Sequence, residues 1–203
     1  MGTRHLTIVQ KNNEYKVAQY GQWDGYPEGA GSEILDFCRR HLSTEAGRNA
    51  FSEKVLKCKF IAGARIENLI RSVQQKDEYN GYDENCSPKW TKVYPQFSRD
   101  TGNEVLSLIL NSENGLALED TLSFIKESLF CEWAWVIDLD KNTFEAYVGF
   151  NKVPLTQSER FYRYDTQYIN GYRACRFVKA WSLDELPTEE EFLQEFKTND
   201  EDE

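Results

Sequence analysis

Alternating apolar and polar positions predict two β-hairpins in the chain. The first covers residues 4–20, with Asn12 and Asn13 as its two-residue turn. The second covers residues 131–150 and has a polar turn at residues 140–142. A further strand is predicted over residues 173–181.

Apolar residues at helical spacing predict several helices between and after these strands. The first runs from Ser32 to His41 with Ser32 as its cap, the second covers 46–56, and the third has a buried stripe of Ile66, Leu69, Ile70 and Val73. Further along, one helix follows a Thr101–Glu104 capping box, residues 118–130 form an amphipathic segment, and a last helix follows a Thr188–Glu191 capping box. Strand pairs joined by tight turns, with helices grouped between them, predict an α+β fold with a mainly antiparallel sheet. We expect one globular domain over residues 1–198, followed by an acidic tail at 199–203.

Charge and cysteine content narrow the function classes. The chain of 203 residues has a formal net charge of −10, which argues against nucleic acid as its partner. We expect a cytoplasmic protein without a membrane span or secretory signal. The five cysteines include no C-x-x-C pair and only two histidines are present, so we predict no disulfide framework, no metal site and no cofactor. Cys38 and Cys175 lie in apolar segments and are predicted to be buried.

Two further patterns have competing interpretations. Asp138 and Asp140 alternate with an apolar residue and resemble paired acids, but we favour a strand end followed by a turn, where such carboxylates are tolerated in solvent. Residues 160–177 interleave arginines with aromatic residues, as single-strand nucleic-acid binders do. With this net charge, we favour an aromatic strand-and-loop surface for that segment.

The glycine-rich stretch 19–31, QYGQWDGYPEGAG, is the main candidate for a functional site. If Asn12 and Asn13 form the turn, paired positions add up to 25, which places Arg4 opposite Gly21 and Thr3 opposite Gln22. The chain start then lies beside this stretch, where a guanidinium, an indole and a carboxylate meet. Rigid aromatic residues beside charges suit ligand recognition. The predicted ligand-binding residues are Arg4, Gln22, Trp23, Asp24 and Tyr26.

Three segments carry a resemblance to a known group of proteins. They are Gly2-Thr3-Arg4, Tyr20-Gly21-Gln22-Trp23-Asp24-Gly25-Tyr26-Pro27, and Ser98-Arg99-Asp100-Thr101-Gly102 ahead of an apolar helix. Together they resemble uncharacterised phage and microbial proteins with an H-W-D-G-Y-P type motif. This chain has Gln22 where that motif often has histidine, which removes a general base or metal ligand.

The chain start also resembles, in architecture, the N-terminal-nucleophile hydrolases, in which a processed first residue attacks an amide. That resemblance implies Thr3 as nucleophile, Arg4 to place the substrate and Asp24 to hold the free amine. Thr3 becomes the first residue only if both Met1 and Gly2 are removed. The sequence therefore favours a domain that binds a small molecule or a partner protein, with an amide hydrolase as the alternative.

Overall fold

The computed structural model describes residues 2–197, which form a five-stranded sheet, a two-stranded ladder and five α-helices. The strands are β1 (His5–Lys11), β2 (Glu14–Gly21), β3 (Lys59–Phe60), β4 (Ala117–Leu118), β5 (Trp133–Asp138), β6 (Thr143–Val148) and β7 (Arg176–Ser182). The helices are α1 (Ser32–His41), α2 (Glu45–Lys57), α3 (Gly63–Gln74), α4 (Val105–Asn111) and α5 (Glu189–Lys197). The acidic tail predicted at 199–203 lies outside the described residues.

The main sheet has the order β2-β1-β5-β6-β7 and is antiparallel except for one pair. The antiparallel strand β2 brings the chain back to the end of the sheet where β1 begins, and the segment with α1 to α4 then leads into β5 from that end, so β1 and β5 are parallel. Both predicted hairpins are present, as β1–β2 and β5–β6. The predicted α+β class with a mainly antiparallel sheet is confirmed.

The two faces of the sheet have different covers. On the first, called the helical face, Val9, Trp135 and Phe144 pack with residues of α1, α2, α4 and α5. On the second, called the loop face, Leu6 and Val136 pack with residues from the irregular segments that precede β5 and follow β6. Side chains alternate between these faces along each strand, so neighbouring positions in β1 contribute to different surroundings.

The helical face has an aromatic core. Trp135 packs against Trp133, Phe144 and Phe192, with ring centroids 5.4 Å, 5.8 Å and 5.9 Å away. Offset and tilted aromatic pairs of this kind stabilise a core beyond the area that they bury. The Trp135 indole also donates a buried hydrogen bond of 2.9 Å to the carbonyl of Gly25, which fixes the glycine-rich stretch to the core.

The register of the first hairpin differs from the predicted one by a single residue. Asn12 and Asn13 form the turn with φ of 57° and 58°, and Lys11 pairs with Glu14 as predicted. An irregularity between Val9 and Gln10 then shifts the ladder, because β2 contains one extra residue there. The predicted pairing of Arg4 with Gly21 is therefore wrong, and His5 is the residue opposite Gly21.

Two of the predicted helix caps are also wrong. Ser32 is the first residue of α1 and not its cap, because the turn Pro27–Gly31 leads directly into the helix; its buried hydroxyl has no partner in the described residues. Thr101 donates its hydroxyl to the carbonyl of Pro95 and so does not cap α4. The capping box ahead of α5 is confirmed, since the Thr188 hydroxyl accepts from the amide of Glu191.

Some of the other segments depart from their predictions. On α3 only Ile66 is buried, so the stripe predicted there is largely half-buried. The segment over 118–130, predicted as an amphipathic helix, contains the end of β4 and the short 3-10 helix Leu122–Lys126. Cys38 and Cys175 are buried as predicted. Within the described residues, none of the helices has both the length and the apolar character needed to cross a bilayer.

Candidate functional site

Backbone hydrogen bonds bring three distant segments together at one end of β1. The amide of Gly25 donates to the carbonyl of Thr3 at 2.9 Å, and the amide of Gln22 donates to the carbonyl of Arg99 at 3.0 Å. The chain start, the glycine-rich stretch and residues 98–102 thus form one unit, which we call the corner. Its predicted site residues are Thr3, Arg4, Gln22, Trp23, Asp24 and Tyr26.

His5 lies in the centre of the corner and is almost fully buried. Glycines surround its imidazole: a methyl group built on Gly21 would lie 2.2 Å from Cε1, and one built on Gly102 would lie 3.2 Å from it. A methyl group on Gly25 would lie 2.7 Å from Cβ of His5. The glycines of the corner therefore allow three stretches of backbone to approach one side chain.

Neither ring nitrogen of His5 has a hydrogen-bond partner among residues 2–197. Burial lowers the pKa of His5 from 6.5 to about 4, while the nearby Asp24 carboxylate and the backbone of Trp23 favour the proton more weakly. The imidazole is therefore neutral at physiological pH. The sequence analysis did not select His5, because the predicted register placed Arg4 opposite Gly21. With the one-residue shift between Val9 and Gln10, His5 takes that position.

Trp23 is fixed in place and yet half exposed. A methyl group on Gly2 would lie 2.3 Å from Cε3 of its indole, so the chain start packs directly on the ring. The indole Nε1 donates to the carboxylate of Asp100 at 2.8 Å. With 50% of the residue exposed, Trp23 presents a large aromatic surface whose orientation is set by the protein.

Asp24 and Tyr26 extend this surface. Asp24 has a φ of 52°, and its carbonyl accepts from the amide of Ala30 at 2.7 Å, which closes the turn. The hydroxyl of Tyr26 donates to the Asp24 carboxylate at 3.2 Å, and this hydrogen bond raises the pKa of Tyr26. Both side chains are exposed.

Arg4 lies on the opposite face of the strand from His5. Its guanidinium is 4.8 Å from the centre of the Phe130 ring, a cation–π contact on the loop face. Its Nε is buried without a hydrogen-bond partner in the described chain. No ion pair joins Arg4 to Asp24 within residues 2–197, so the structure does not bring the predicted guanidinium and carboxylate into contact.

The remaining predicted residues have structural partners. The side-chain carbonyl of Gln22 accepts from the hydroxyl of Tyr20 at 2.7 Å. Thr3 contributes its backbone carbonyl to the hydrogen bond with Gly25. The corner thus brings Gln22, Trp23 and Asp24 beside the chain start, and it adds Asp100, which sequence reasoning did not select as a site residue.

The two aspartates of the second hairpin have separate structural roles. The Asp140 carboxylate accepts from the amides of Asn12 and Asn13 at 2.9 Å and 2.8 Å. Burial opposes the charge of Asp140, but these amides and Lys11 outweigh it and lower the pKa of Asp140. Asp138 is fully buried and forms an ion pair with Arg160. The pair therefore fits the turn interpretation rather than paired catalytic acids.

Two arginines of the segment 160–177 are paired with carboxylates. Arg160 binds Asp138 and Glu145, and Arg173 binds Asp165 at 2.8 Å. Such pairing removes part of the positive charge that a nucleic-acid phosphate would need.

Comparison of the chain with models of protein families, with curated protein sequences and with solved structures finds no match. The resemblance to proteins with an H-W-D-G-Y-P type motif therefore stays a prediction based on the three segments quoted for it. In the structure, these same segments are the ones that meet at the corner.

Proposed function

We propose that the protein is a cytoplasmic domain that binds a partner protein or a small ligand through the corner. The observation that supports this proposal is the state of Trp23, which is half exposed although its ring packs on Gly2 and its indole nitrogen is bound to Asp100. Aromatic side chains that are exposed and held in one orientation bind with little loss of conformational entropy.

The neighbours of Trp23 suggest what a partner would offer. Tyr26 is 38% exposed and lies on the same turn, with the exposed carboxylate of Asp24 between them in sequence. Two aromatic surfaces flanking an acidic group suit an apolar side chain next to a hydrogen-bond donor. Tryptophan and tyrosine are also the residues that most often carry the binding energy of an interface.

The proposal is tested by selecting a displayed library of random peptides on the wild-type protein. The Trp23→Ala variant removes non-specific binders in each round, and affinities of the enriched peptides are then measured by fluorescence polarisation. We expect Trp23→Ala to weaken binding by about 30-fold or more, since truncating a central interface tryptophan costs about 2 kcal/mol or more. Tyr82→Ala is the matched control because Tyr82 is also aromatic and is 69% exposed.

The stability of Trp23→Ala separates binding from folding. Because half of Trp23 is exposed, we expect a cooperative thermal transition close to that of the wild type. Peptides that bind both proteins equally, or a variant that loses folding along with binding, would contradict the proposal and make Trp23 a core residue.

The amide hydrolase with Thr3, Arg4 and Asp24 stays a hypothesis. It requires a chain that begins at Thr3, so the intact mass of the purified protein decides it. A mass that includes Met1 or Gly2 rules this mechanism out. A chain that begins at Thr3 would favour it over simple binding.

A further inference from the structure

A second site lies at the other end of β1, on the loop face. Gln10 is five residues from His5, which corresponds to about 16 Å along a strand. Here polar side chains replace the apolar ones that cover the rest of this face. Gln10, Asp138 and Thr143 occupy adjacent positions across β1, β5 and β6, and Glu145 follows on β6.

Arg160 joins these side chains from the connection between β6 and β7. Its Nη2 lies 2.5 Å from Asp138 and 2.8 Å from Glu145, and its Nε lies 3.0 Å from the second oxygen of Glu145. Its Nη1 donates to the side-chain carbonyl of Gln10. Only 8% of the Arg160 side chain is exposed, so this guanidinium is held rigidly.

The carboxylates of this cluster have their hydrogen-bonding capacity used within the protein. Glu145 also accepts from the hydroxyls of Thr143 and Tyr147, at 2.9 Å and 2.6 Å. The other oxygen of Asp138 accepts from the amides of Asp140 and Lys141. The cluster therefore offers few acceptors to a ligand.

A cleft of about 800 Å³ opens over Arg160, within the size range of small-molecule sites. Tyr15, Tyr147 and Phe177 contribute aromatic surfaces to its lining, and 45% of Phe177 is exposed. Gln10 and Arg160 also line it, and each has donor hydrogens beyond the bonds described above. In the Arg160 cluster, the polar atoms that remain for a ligand are therefore mainly donors.

The charged groups around the cleft include one arginine without an ion pair in the described part of the chain. Lys141 lies 4.0 Å from Asp138, so Lys141 and Arg160 together balance the two buried carboxylates. Arg176 also lines the cleft, and it forms no ion pair within residues 2–197. Glu159 also lines the cleft, so the formal charges there balance. Its carboxylate accepts from the amide and hydroxyl of Thr156, and Arg176 is therefore the charged group left without a partner of opposite sign among the described residues.

From these donors, the unpaired guanidinium of Arg176 and the aromatic walls, we infer that the cleft binds a small organic anion that carries a flat apolar group. Its carboxylate would accept hydrogen bonds from Gln10, Arg160 and Arg176. Its apolar part would lie against Tyr15, Tyr147 and Phe177. This site is separate from the corner, so its test does not depend on the proposed function.

Benzoate is the probe, and benzyl alcohol is its neutral counterpart of nearly the same shape. Both are titrated into the full-length protein and followed by NMR shifts of the aromatic side chains. We expect benzoate to give saturable shifts at Tyr15, Tyr147 and Phe177, with a Kd on the order of 1 to 10 mM for so small a ligand. Benzyl alcohol should bind about tenfold more weakly, since it lacks the charge-assisted hydrogen bonds.

Arg176→Gln removes the unpaired guanidinium, and Arg65→Gln on α3 is its matched control. We expect Arg176→Gln to weaken benzoate binding about tenfold and Arg65→Gln to leave it unchanged. Circular dichroism and thermal unfolding check that both variants fold. The inference is overturned if benzoate gives no saturable shift in the cleft, if benzyl alcohol binds equally well, or if a folded Arg176→Gln variant binds benzoate like the wild type.

Discussion

The buried imidazole of His5 predicts a loss of stability in mild acid. Its pKa is about 4 in the folded protein and 6.5 in an unfolded chain. Above pH 7 neither state binds the proton, so stability is complete there. As the pH falls below 6.5, His5 binds a proton in the unfolded chain, but in the folded protein it stays neutral until about pH 4. Stability therefore falls between these two pH values.

The size of the loss follows from the difference of about 2.5 pKa units. At about 1.4 kcal/mol for each unit, His5 would remove about 3 kcal/mol of stability in full, and about 2 kcal/mol of that between pH 7 and pH 5. A domain with a typical unfolding free energy of 5 to 15 kcal/mol would lose a substantial part of it.

Urea unfolding of the wild type and of His5→Leu at pH 7 and pH 5 measures this contribution. His5→Leu removes the titrating group, so the variant should show about 2 kcal/mol less pH dependence than the wild type, whatever its own stability. Asp140 and Asp165 also have lowered pKa values and so make the folded protein less stable in acid. Both proteins contain them, so their contribution cancels when the pH dependence of His5→Leu is subtracted from that of the wild type. An equal pH dependence in both proteins, or an NMR titration of His5 with a midpoint near 6.5, would show that His5 does not destabilise the fold in acid.

Two further predictions concern stability. Gly21→Ala should cost about 1 to 3 kcal/mol in urea unfolding because its methyl group would lie 2.2 Å from the His5 ring, and the same change made in a His5→Ala protein should cost much less; Gly63→Ala, which has open space, should cost nothing, and an equal loss there would contradict the close approach. Arg160→Leu should cost about 3 to 5 kcal/mol because it leaves buried Glu145 without an ion pair and buried Asp138 with only Lys141 at 4.0 Å, whereas Arg163→Leu on the surface should stay within about 0.5 kcal/mol of the wild type; similar thermal shifts for the two would show that the cluster is not needed for folding.

Patterns with a local physical cause predicted much of the fold. The alternation around Trp135 gives β5. The Asn12-Asn13 pair gives the turn between β1 and β2 because both residues tolerate positive φ. The capping box at Thr188 was equally local. Such features depend on a few neighbouring residues, so a short segment of the sequence is enough to predict them.

The errors arise where distant parts of the chain decide the outcome. Nothing in the local sequence of β1 and β2 marks the one-residue shift between Val9 and Gln10. The hydroxyl of Thr101 donates to the carbonyl of Pro95 instead of capping α4. Residues 98–102 are held at the corner by the hydrogen bond from the amide of Gln22 to the carbonyl of Arg99, a contact between distant parts of the chain. The same register shift placed His5, rather than Arg4, beside the glycines.

The three glycines packed around His5 (Gly21, Gly25 and Gly102) also affect the candidate site. Burying an imidazole with neither nitrogen bonded is unfavourable, and the fold tolerates it through three close backbone approaches at Gly21, Gly25 and Gly102. The segments that contain these glycines also hold Trp23 and Asp100. A change that disturbed the packing of these glycines around His5 would therefore reduce the rigidity of the Trp23 surface as well as the stability of the fold. If Trp23 is the binding residue that we propose, Gly21→Ala should weaken peptide binding even though residue 21 itself is buried.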